Sequence, residues 1–197
     1  KCVVKVLLLQ LGWPALTENT NAIFQNGIVV PTSDGVITFA GATNGGTTQA
    51  LGVLMGIEYV DSSTKKPVFK NFWPGSNNVS VDTNHPVKAF VADNPNQLFK
   101  VATDASISDR ETALTGVFEN ASLGTSARTG STSTGLSNSA LSVSSIAVTA
   151  TLPLRIVGIL DDEANSDFAA AGIPLIVRLN AHFNAPTSRF DSQTTAT

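Results

Sequence analysis

The amino-acid sequence predicts a mostly β protein, an antiparallel β-barrel or sandwich with an extended N-terminal arm and long loops. Apolar and polar side chains alternate along several short segments, most clearly over residues 173–183, and such alternation places the apolar set on one face of a strand. Turn dipeptides such as Asn26-Gly27 and Asp34-Gly35 separate these segments at short intervals, as in all-β folds. No segment sustains the period of about 3.6 residues that indicates an amphipathic helix.

Residues 1–26 form the predicted extended arm. Its apolar run is interrupted by Lys5 and is followed by no small-residue cleavage site, so we do not expect a secretory signal peptide. An extended apolar arm can add to the sheet of a neighbouring subunit through main-chain hydrogen bonds. The candidate interface residues of the arm are Val3, Val6, Leu8 and Trp13.

Residues 27–185 are predicted to form a single β domain. Strands are predicted where alternating apolar residues lie between turn signals. Pro153 limits its strand to an edge or to a first position, because proline cannot donate to the ladder. The predicted strands cover residues 36–40, 51–60, 87–92, 98–102, 115–118, 141–151, 152–160 and 173–183.

Four segments have no clear strand pattern. Residues 124–140 are rich in Ser, Thr and Gly, which bury little apolar area, so we expect a loop that is flexible or ordered by a partner. Ser108 and Glu111 have the spacing of a capping box, but the Thr and Gly residues that follow predict a turn rather than a long helix. Residues 165–171 are predicted as one helical turn, and residues 186–197 as a polar C-terminal tail.

The composition is low in charge. Of the 197 residues, 42% are hydrophobic and only 14% are charged, against about 25% charged in an ordinary soluble domain. Neutral polar faces can be buried against another protein without desolvating ions, which favours a subunit of an assembly. The net charge of -3 provides no basic surface for phosphates, and no run approaches the roughly 18 apolar residues of a membrane helix. We therefore expect neither nucleic acid nor membrane as a partner.

Three patterns resemble catalytic or metal sites, and each has a simpler interpretation. Ser62 and Lys65 have the spacing of serine–lysine acylases, but they lie in a predicted turn. Residues 161–167 place oxygen ligands at alternate positions, as calcium loops do, but the turn glycine and the closing glutamate are missing, which favours an acidic surface turn. His85 and His182 are the only histidines, too few for a multi-histidine metal site, and His182 is predicted on the polar face of the last strand. We expect no enzyme activity, no catalytic residue, no metal and no cofactor.

Phe69, Phe72 and Trp73 place three aromatic rings within five residues, directly before the turn dipeptide Pro74-Gly75. This is more apolar surface than a solvated loop tolerates, so the rings must pack somewhere. One alternative is the protein's own core. The other is a neighbouring subunit, since aromatic residues often dominate interface energy, and on this alternative all three are candidate interface residues.

A series of short motifs runs in order through the middle and the end of the chain. They include Leu51-Gly52-Val53, Ile57-Glu58-Tyr59-Val60-Asp61, Thr64-Lys65-Lys66-Pro67, Phe72-Trp73-Pro74-Gly75, Val87-Lys88-Ala89-Phe90-Val91-Ala92-Asp93-Asn94-Pro95, Leu152-Pro153-Leu154-Arg155-Ile156 and Ile173-Pro174-Leu175-Ile176-Val177-Arg178-Leu179-Asn180-Ala181-His182. In these motifs the chain resembles the capsid decoration (cement) proteins of tailed bacteriophages. The resemblance extends over residues 50–183.

The resemblance implies a structural virion protein on the outer capsid surface, which holds neighbouring major capsid subunits together as a homotrimer at local threefold positions. The implied partners are the major capsid protein and further copies of this chain. Residues 1–13 depart from the family pattern. The alternative is a receptor- or glycan-binding module of a phage fibre or tail, because neutral β surfaces with exposed aromatic residues also suit sugars.

Overall fold

The computed structural model describes the main chain of residues 5–7, and residues 20–32, 36–40, 49–125 and 129–185 in full. Its strands form two antiparallel sheets, which confirms the predicted mostly β, antiparallel fold. Over the described residues, both sheets are open and keep unpaired edge strands, so neither closes into a barrel.

The chain divides into two compact units. The first contains Lys1–Ala40, Leu51–Asp93 and Ser126–Ser139, and the second contains Gly41–Ala50, Asn94–Thr125 and Ala140–Thr197. The single domain predicted for residues 27–185 stays a prediction. The chain enters each unit more than once, so the pairing in both sheets joins segments that are distant in the sequence.

The first unit contains a six-stranded sheet built from β1 (Lys5–Leu7), β2 (Ile28–Pro31), β3 (Ile37–Phe39), β4 (Gly52–Val60), β5 (Pro67–Lys70) and β6 (Lys88–Ala92). The strand order is β1, β6, β4, β2, β3, and β5 pairs with β4 outside this path. On one side β4 pairs with β6; on the other, its first residues pair with β2 and its last residues with β5. A bulge at Leu54–Gly56 shifts the register between β4 and β6.

The core of the first unit lies on one face of this sheet. In the last part of β4, Ile57 and Tyr59 are buried and alternate with the half-buried Glu58 and Val60, as expected for a strand with one buried face. Trp73 is the largest fully buried side chain. The other core residues are Ile23, Phe24, Val29, Ile37, Phe39, Leu51, Leu54, Val87, Ala89 and Val91.

The second unit contains a four-stranded sheet and one helix. They are β7 (Leu98–Ala102), α1 (Arg110–Thr115), β8 (Asn120–Ala121), β9 (Leu154–Ile159) and β10 (Pro174–Leu179), with the strand order β7, β10, β9, β8. Alternate residues of β9 and β10 are buried, among them Leu154, Ile156, Leu175 and Val177. No helix in the described ranges is both long enough and apolar enough to cross a membrane.

Two predicted strands are absent, and both segments use other hydrogen bonds. Residues 115–118 contain the end of α1, whose N-cap is Asp109, accepting from Thr112 N at 2.7 Å; the turn predicted after Ser108 is therefore a short helix. Residues 141–151 contain a 3₁₀ turn at Val143–Ser145 rather than a strand. Val143 N donates to the Asp104 carboxylate at 3.0 Å, and Ser145 Oγ accepts from Ser122 N at 2.8 Å. Short polar side chains here take main-chain N–H groups that a ladder would otherwise use.

Three other predicted segments also differ. The last residues of the predicted arm, from Thr20 onwards, belong to the first unit, and Ile23 and Phe24 are buried in its core. Within the Ser/Thr/Gly-rich loop, residues 129–139 are ordered by their own chain: Gly130 forms a bridge with Ser137. Main-chain hydrogen bonds replace the apolar burial that the composition lacks. Residues 165–171 form turns without a helix.

Candidate functional site

The aromatic segment from Phe69 to Trp73 has one end in solvent and the other in the core. Phe69, on β5, is 68% exposed. Trp73 has no exposed surface; its ring packs edge-on against Tyr59 with the centroids 6.1 Å apart. Its main chain exchanges hydrogen bonds of 2.8 and 2.9 Å with Ile23. The Trp73 ring therefore completes the protein's own core, the first of the two alternatives, and its interface role stays a prediction.

Phe72 lies between these two environments. It is half-buried, and its ring stacks on Phe24 with a centroid separation of 5.5 Å and an interplanar angle of 13°. Stacking within the first unit leaves only part of the ring for a partner. Of the three aromatic candidates, Phe69 is therefore the one whose side chain is available for binding, and its interface role stays a prediction.

Phe69 lies in a row of side chains across three strands. It pairs with Glu58 of β4, which pairs in turn with Lys88 of β6. Residues opposite each other in antiparallel strands share a face of the sheet, so Phe69 lies on the same outer face as this charged pair. Lys88 Nζ lies 3.2 Å from Glu58 Oε1. The ion pair neutralises both charges next to the exposed ring.

The second unit has an exposed aromatic residue that the sequence did not indicate. Phe118 is 76% exposed and has a φ of +74°, which is uncommon for a bulky residue. Its N–H donates to Ile156 O at 2.9 Å, and Glu119 N donates to Gly116 O at 3.1 Å. Hydrogen bonds on both sides of Phe118 hold this strained conformation and keep the ring in solvent.

Two further exposed apolar residues belong to the same part of the second unit. Leu114, in the last turn of α1, is 50% exposed, and Val148 is 83% exposed. Val148 follows Ala147, which exchanges two hydrogen bonds of 2.9 Å with Asn120 of β8.

Ser62 and Lys65 form a turn, as the sequence predicts. The carboxylate of Asp61 accepts from the N–H and hydroxyl groups of both Ser63 and Thr64 at 2.6–3.0 Å. The side-chain hydrogen bond from Ser63 is the largest cause that lowers the pKa of Asp61 to about 2. These four hydrogen bonds fix the turn that begins β5.

Lys65 is bound to an acid rather than placed beside a nucleophile. Its Nζ lies 3.1 Å from Asp82 Oδ2, and His85 Nδ1 lies 3.4 Å from the same oxygen. The backbone hydrogen bond from Asn84, followed by the hydrogen bond from Lys65, lowers the pKa of the Asp82 carboxyl. Asp82 thus connects two loops of the first unit.

The acidic segment 161–167 is held by basic side chains of the second unit. Arg110 forms an ion pair with Asp161, which lowers the pKa of that carboxyl, and Lys100 Nζ lies 3.4 Å from Asp162 Oδ2. A cavity of 270 Å³ adjoins this segment, lined in part by Phe168. In the described part of the chain, no group of three or more His, Cys, Asp or Glu residues could hold a metal ion.

His182 is buried, in contrast to the predicted polar face of a strand. The strand β10 ends at Leu179, so His182 lies after the strand. Its side chain is only 1% exposed. Its Nδ1 accepts a hydrogen bond of 3.0 Å from Asn184 N. The imidazole therefore has a structural position in the second unit.

Of the arm residues, only Val6 lies in a described segment. It belongs to β1, whose main chain pairs with Phe90 and its neighbours in β6. Val3, Leu8 and Trp13 lie outside the described residues. The strand pairing places this part of the arm in the chain's own sheet, and an interface role for the arm stays a prediction.

The comparisons with known proteins give no relative. No family model, no curated protein and no solved structure matches this chain. The likeness to phage decoration proteins therefore stays a resemblance of sequence motifs, and the function that it implies is a proposal.

Proposed function

We propose that this chain is a non-enzymatic structural protein of a phage virion. It binds the outer surface of the capsid and cements neighbouring major capsid subunits, and it does so as a trimer. The observation that carries the proposal is a large aromatic side chain held in solvent in each unit, Phe69 at 68% and Phe118 at 76% exposure. The resemblance of residues 50–183 to decoration proteins supports the same function.

The backbone around both rings supports a binding role. Phe69 lies in a regular strand paired with β4, and Phe118 is fixed by hydrogen bonds on both sides. Rings held in place lose little conformational entropy on binding, so more of the burial energy contributes to affinity. Burying one such side chain contributes about 1.5–3 kcal/mol.

Cementing follows from multiple weak contacts. Each copy that contacts two capsid subunits connects them, and three linked copies raise the effective concentration of every contact. A protein that binds only the assembled shell stabilises it by mass action. The low proportion of charged residues reduces the cost of removing water from these surfaces.

The test uses capsids stripped of this protein, with the wild-type protein added back. We expect calorimetry to show a higher shell disruption temperature after addition. The double variant Phe69→Ala/Phe118→Ala should restore less stability at the same protein concentration. The matched control Phe183→Ala removes another exposed ring, 54% exposed, and should behave like the wild type.

Two outcomes contradict the proposal. Shells that lose their integrity at the same temperature with and without the protein exclude cementing. Cryo-electron microscopy that places the chain on the tail or on a fibre favours the receptor- or glycan-binding alternative.

A further inference from the structure

The outer edge of β5 has main-chain groups that face away from the sheet. Asp61 N donates to Lys66 O at 3.0 Å, so these two residues form a hydrogen-bonded pair. Bonded and non-bonded pairs alternate along an antiparallel ladder. The next outward-facing residues are therefore Pro67 and Phe69, the second of which lies opposite Glu58. Among the described residues, no strand pairs with this side of β5.

These groups can bind an added strand. Phe69 offers one N–H and one C=O, and Pro67 offers a C=O but has no N–H. The Phe69 ring, on the outer face, can cover an apolar side chain of the added strand. Short length, proline and lysine discourage unspecific pairing at such an edge, and β5 has all three, but no described element covers it: Pro67, Phe69 and Lys70 are exposed.

The charges beside this edge are positive. Lys66 and Lys70 are both exposed, and neither forms an ion pair within the described ranges. They are four residues apart and therefore lie about 13 Å from each other on the same face of the strand. Lys65, by contrast, is bound to Asp82. A segment that adds to β5 meets two ammonium groups that form no ion pair with the described residues.

A second copy of β5 fits this edge poorly. Antiparallel pairing of Pro67 in one copy with Phe69 in the other places Lys66 opposite Lys70. Pairing of Phe69 with Phe69 brings the two copies of Lys70 into diagonal positions. Like charges at such positions are destabilising, so the edge favours a partner that carries carboxylates.

We propose that the β5 edge binds an extended acidic segment of the capsid partner by strand addition. This inference rests on the proposed function. If residue j of that segment lies opposite Phe69, the antiparallel register places j−1 opposite Lys70 and j+3 opposite Lys66. The segment therefore has an apolar side chain at j and carboxylates at j−1 and j+3. Main-chain hydrogen bonds supply affinity, and the two ion pairs supply the register.

The first experiment measures amide hydrogen exchange at Phe69. In the free protein this amide faces outward and should exchange fast, whereas shell-bound protein should slow its exchange at least about tenfold, as for a newly bonded strand. The amide of Val68, which faces β4 by the same alternation, is the internal control and should change little. Unchanged exchange at Phe69 in shell-bound protein overturns the inference.

The second experiment removes the charges. The double variant Lys66→Gln/Lys70→Gln keeps most of the side-chain length, and an unchanged thermal transition verifies its fold. We expect its affinity for stripped capsids to fall at least about tenfold. Its binding should also lose the salt dependence of the wild type between about 0.1 and 1 M NaCl, where the screening length falls from about 10 to about 3 Å. Equal affinity and equal salt dependence contradict the inference.

A synthetic peptide separates this inference from the proposed function. The peptide carries two glutamates four residues apart, with valine next to the first at the position opposite Phe69, and its control carries glutamines. If the wild-type protein does not bind capsids but the acidic peptide still protects the Phe69 amide, the proposed function fails and the strand-addition site stands. If neither capsids nor the acidic peptide protects this amide, the site itself fails.

Discussion

Phe69 and Trp73 lie four residues apart in one aromatic segment and have opposite environments. The Phe69 ring is on the outer face of β5, and the Trp73 ring is fully buried beside Tyr59. Between them the chain leaves β5 at Lys70 and pairs with Ile23 at Trp73. The direction of each ring follows from the strand that its residue pairs with. An aromatic cluster in a sequence is therefore not one site, and its members need separate tests.

The largest effect should come from the buried end of this segment. Trp73→Ala removes the largest fully buried side chain and should lower the free energy of unfolding by about 3–5 kcal/mol, since the remaining cavity cannot collapse fully. Urea denaturation followed by circular dichroism measures the loss. A change below about 1 kcal/mol would mean that Trp73 does not complete the core.

Asn71 lies between Phe69 and Trp73 in the sequence, and its side chain binds the loop of residues 129–139. Its Nδ2 donates to Thr134 O at 2.7 Å, and a Cβ on Gly135 would clash with its Oδ1. Gly135 also has a φ of +74°. Gly135→Ala should therefore lower the free energy of unfolding by about 2 kcal/mol.

The matched control for this change is Gly158→Ala. A Cβ on Gly158 meets no atom within 4 Å, so this variant should remain within about 0.5 kcal/mol of the wild type. Urea denaturation again measures the free energy of unfolding. If it falls equally in the two variants, the close packing of Asn71 against Gly135 does not stabilise the loop of residues 129–139.

Low pH should lower the stability of the first unit, because the Asp61 carboxylate fixes the turn that precedes β5 and the exposed Phe69. Hydrogen bonds, first from the Ser63 side chain, lower the pKa of Asp61 from 3.8 to about 2 in the folded chain. Its stabilising effect is complete above the unfolded pKa and is lost as the pH falls through the folded one. The thermal transition of the wild type should therefore fall between pH 4 and pH 2.

Asp61→Asn keeps the shape of the side chain and cannot ionise, so its thermal transition should depend less on pH over this range. Glu163→Gln changes an exposed carboxylate in the second unit and is expected to keep the wild-type profile. If the thermal transition of Asp61→Asn falls with pH as steeply as that of the wild type, Asp61 does not cause the acid sensitivity.

The smallest effect on stability should come from Phe69→Ala. The ring is 68% exposed, so the free energy of unfolding should change by no more than about 0.5 kcal/mol. The comparison with Trp73→Ala in the same denaturation experiment tests the opposite environments directly. A loss above about 1 kcal/mol would mean that Phe69 packs on its own chain.

The sequence predicts the strands in which apolar alternation and turn signals agree. The predicted strand 98–102 has the observed bounds, and the strands predicted within 51–60, 152–160 and 173–183 are present with shorter bounds. The strand β5 is missed because it has only four residues, begins with a proline and ends with a lysine, so its pairing with β4 decides its structure. Tertiary pairing of this kind is not readable from local propensity.

The candidate site is only partly predictable from the sequence. Phe69 belongs to an aromatic cluster and is therefore found, but nothing local separates it from Trp73. Phe118 is missed because its exposure depends on a positive φ that hydrogen bonds to distant residues maintain. The order of residues 129–139 is missed for a related reason: the bonds of Gln25 and Asn71 to this loop join residues far apart in the chain.

The conformation of Phe118 has a consequence for directed evolution. A left-handed backbone costs a bulky residue about 1–2 kcal/mol relative to glycine. The exposed Phe118 ring makes few contacts within the chain that could offset this cost. A library selected for heat resistance alone should therefore replace Phe118 with glycine or asparagine. A library selected for retention on phage particles should keep an aromatic residue, so sequencing the two pools distinguishes a position maintained by folding from one maintained by assembly.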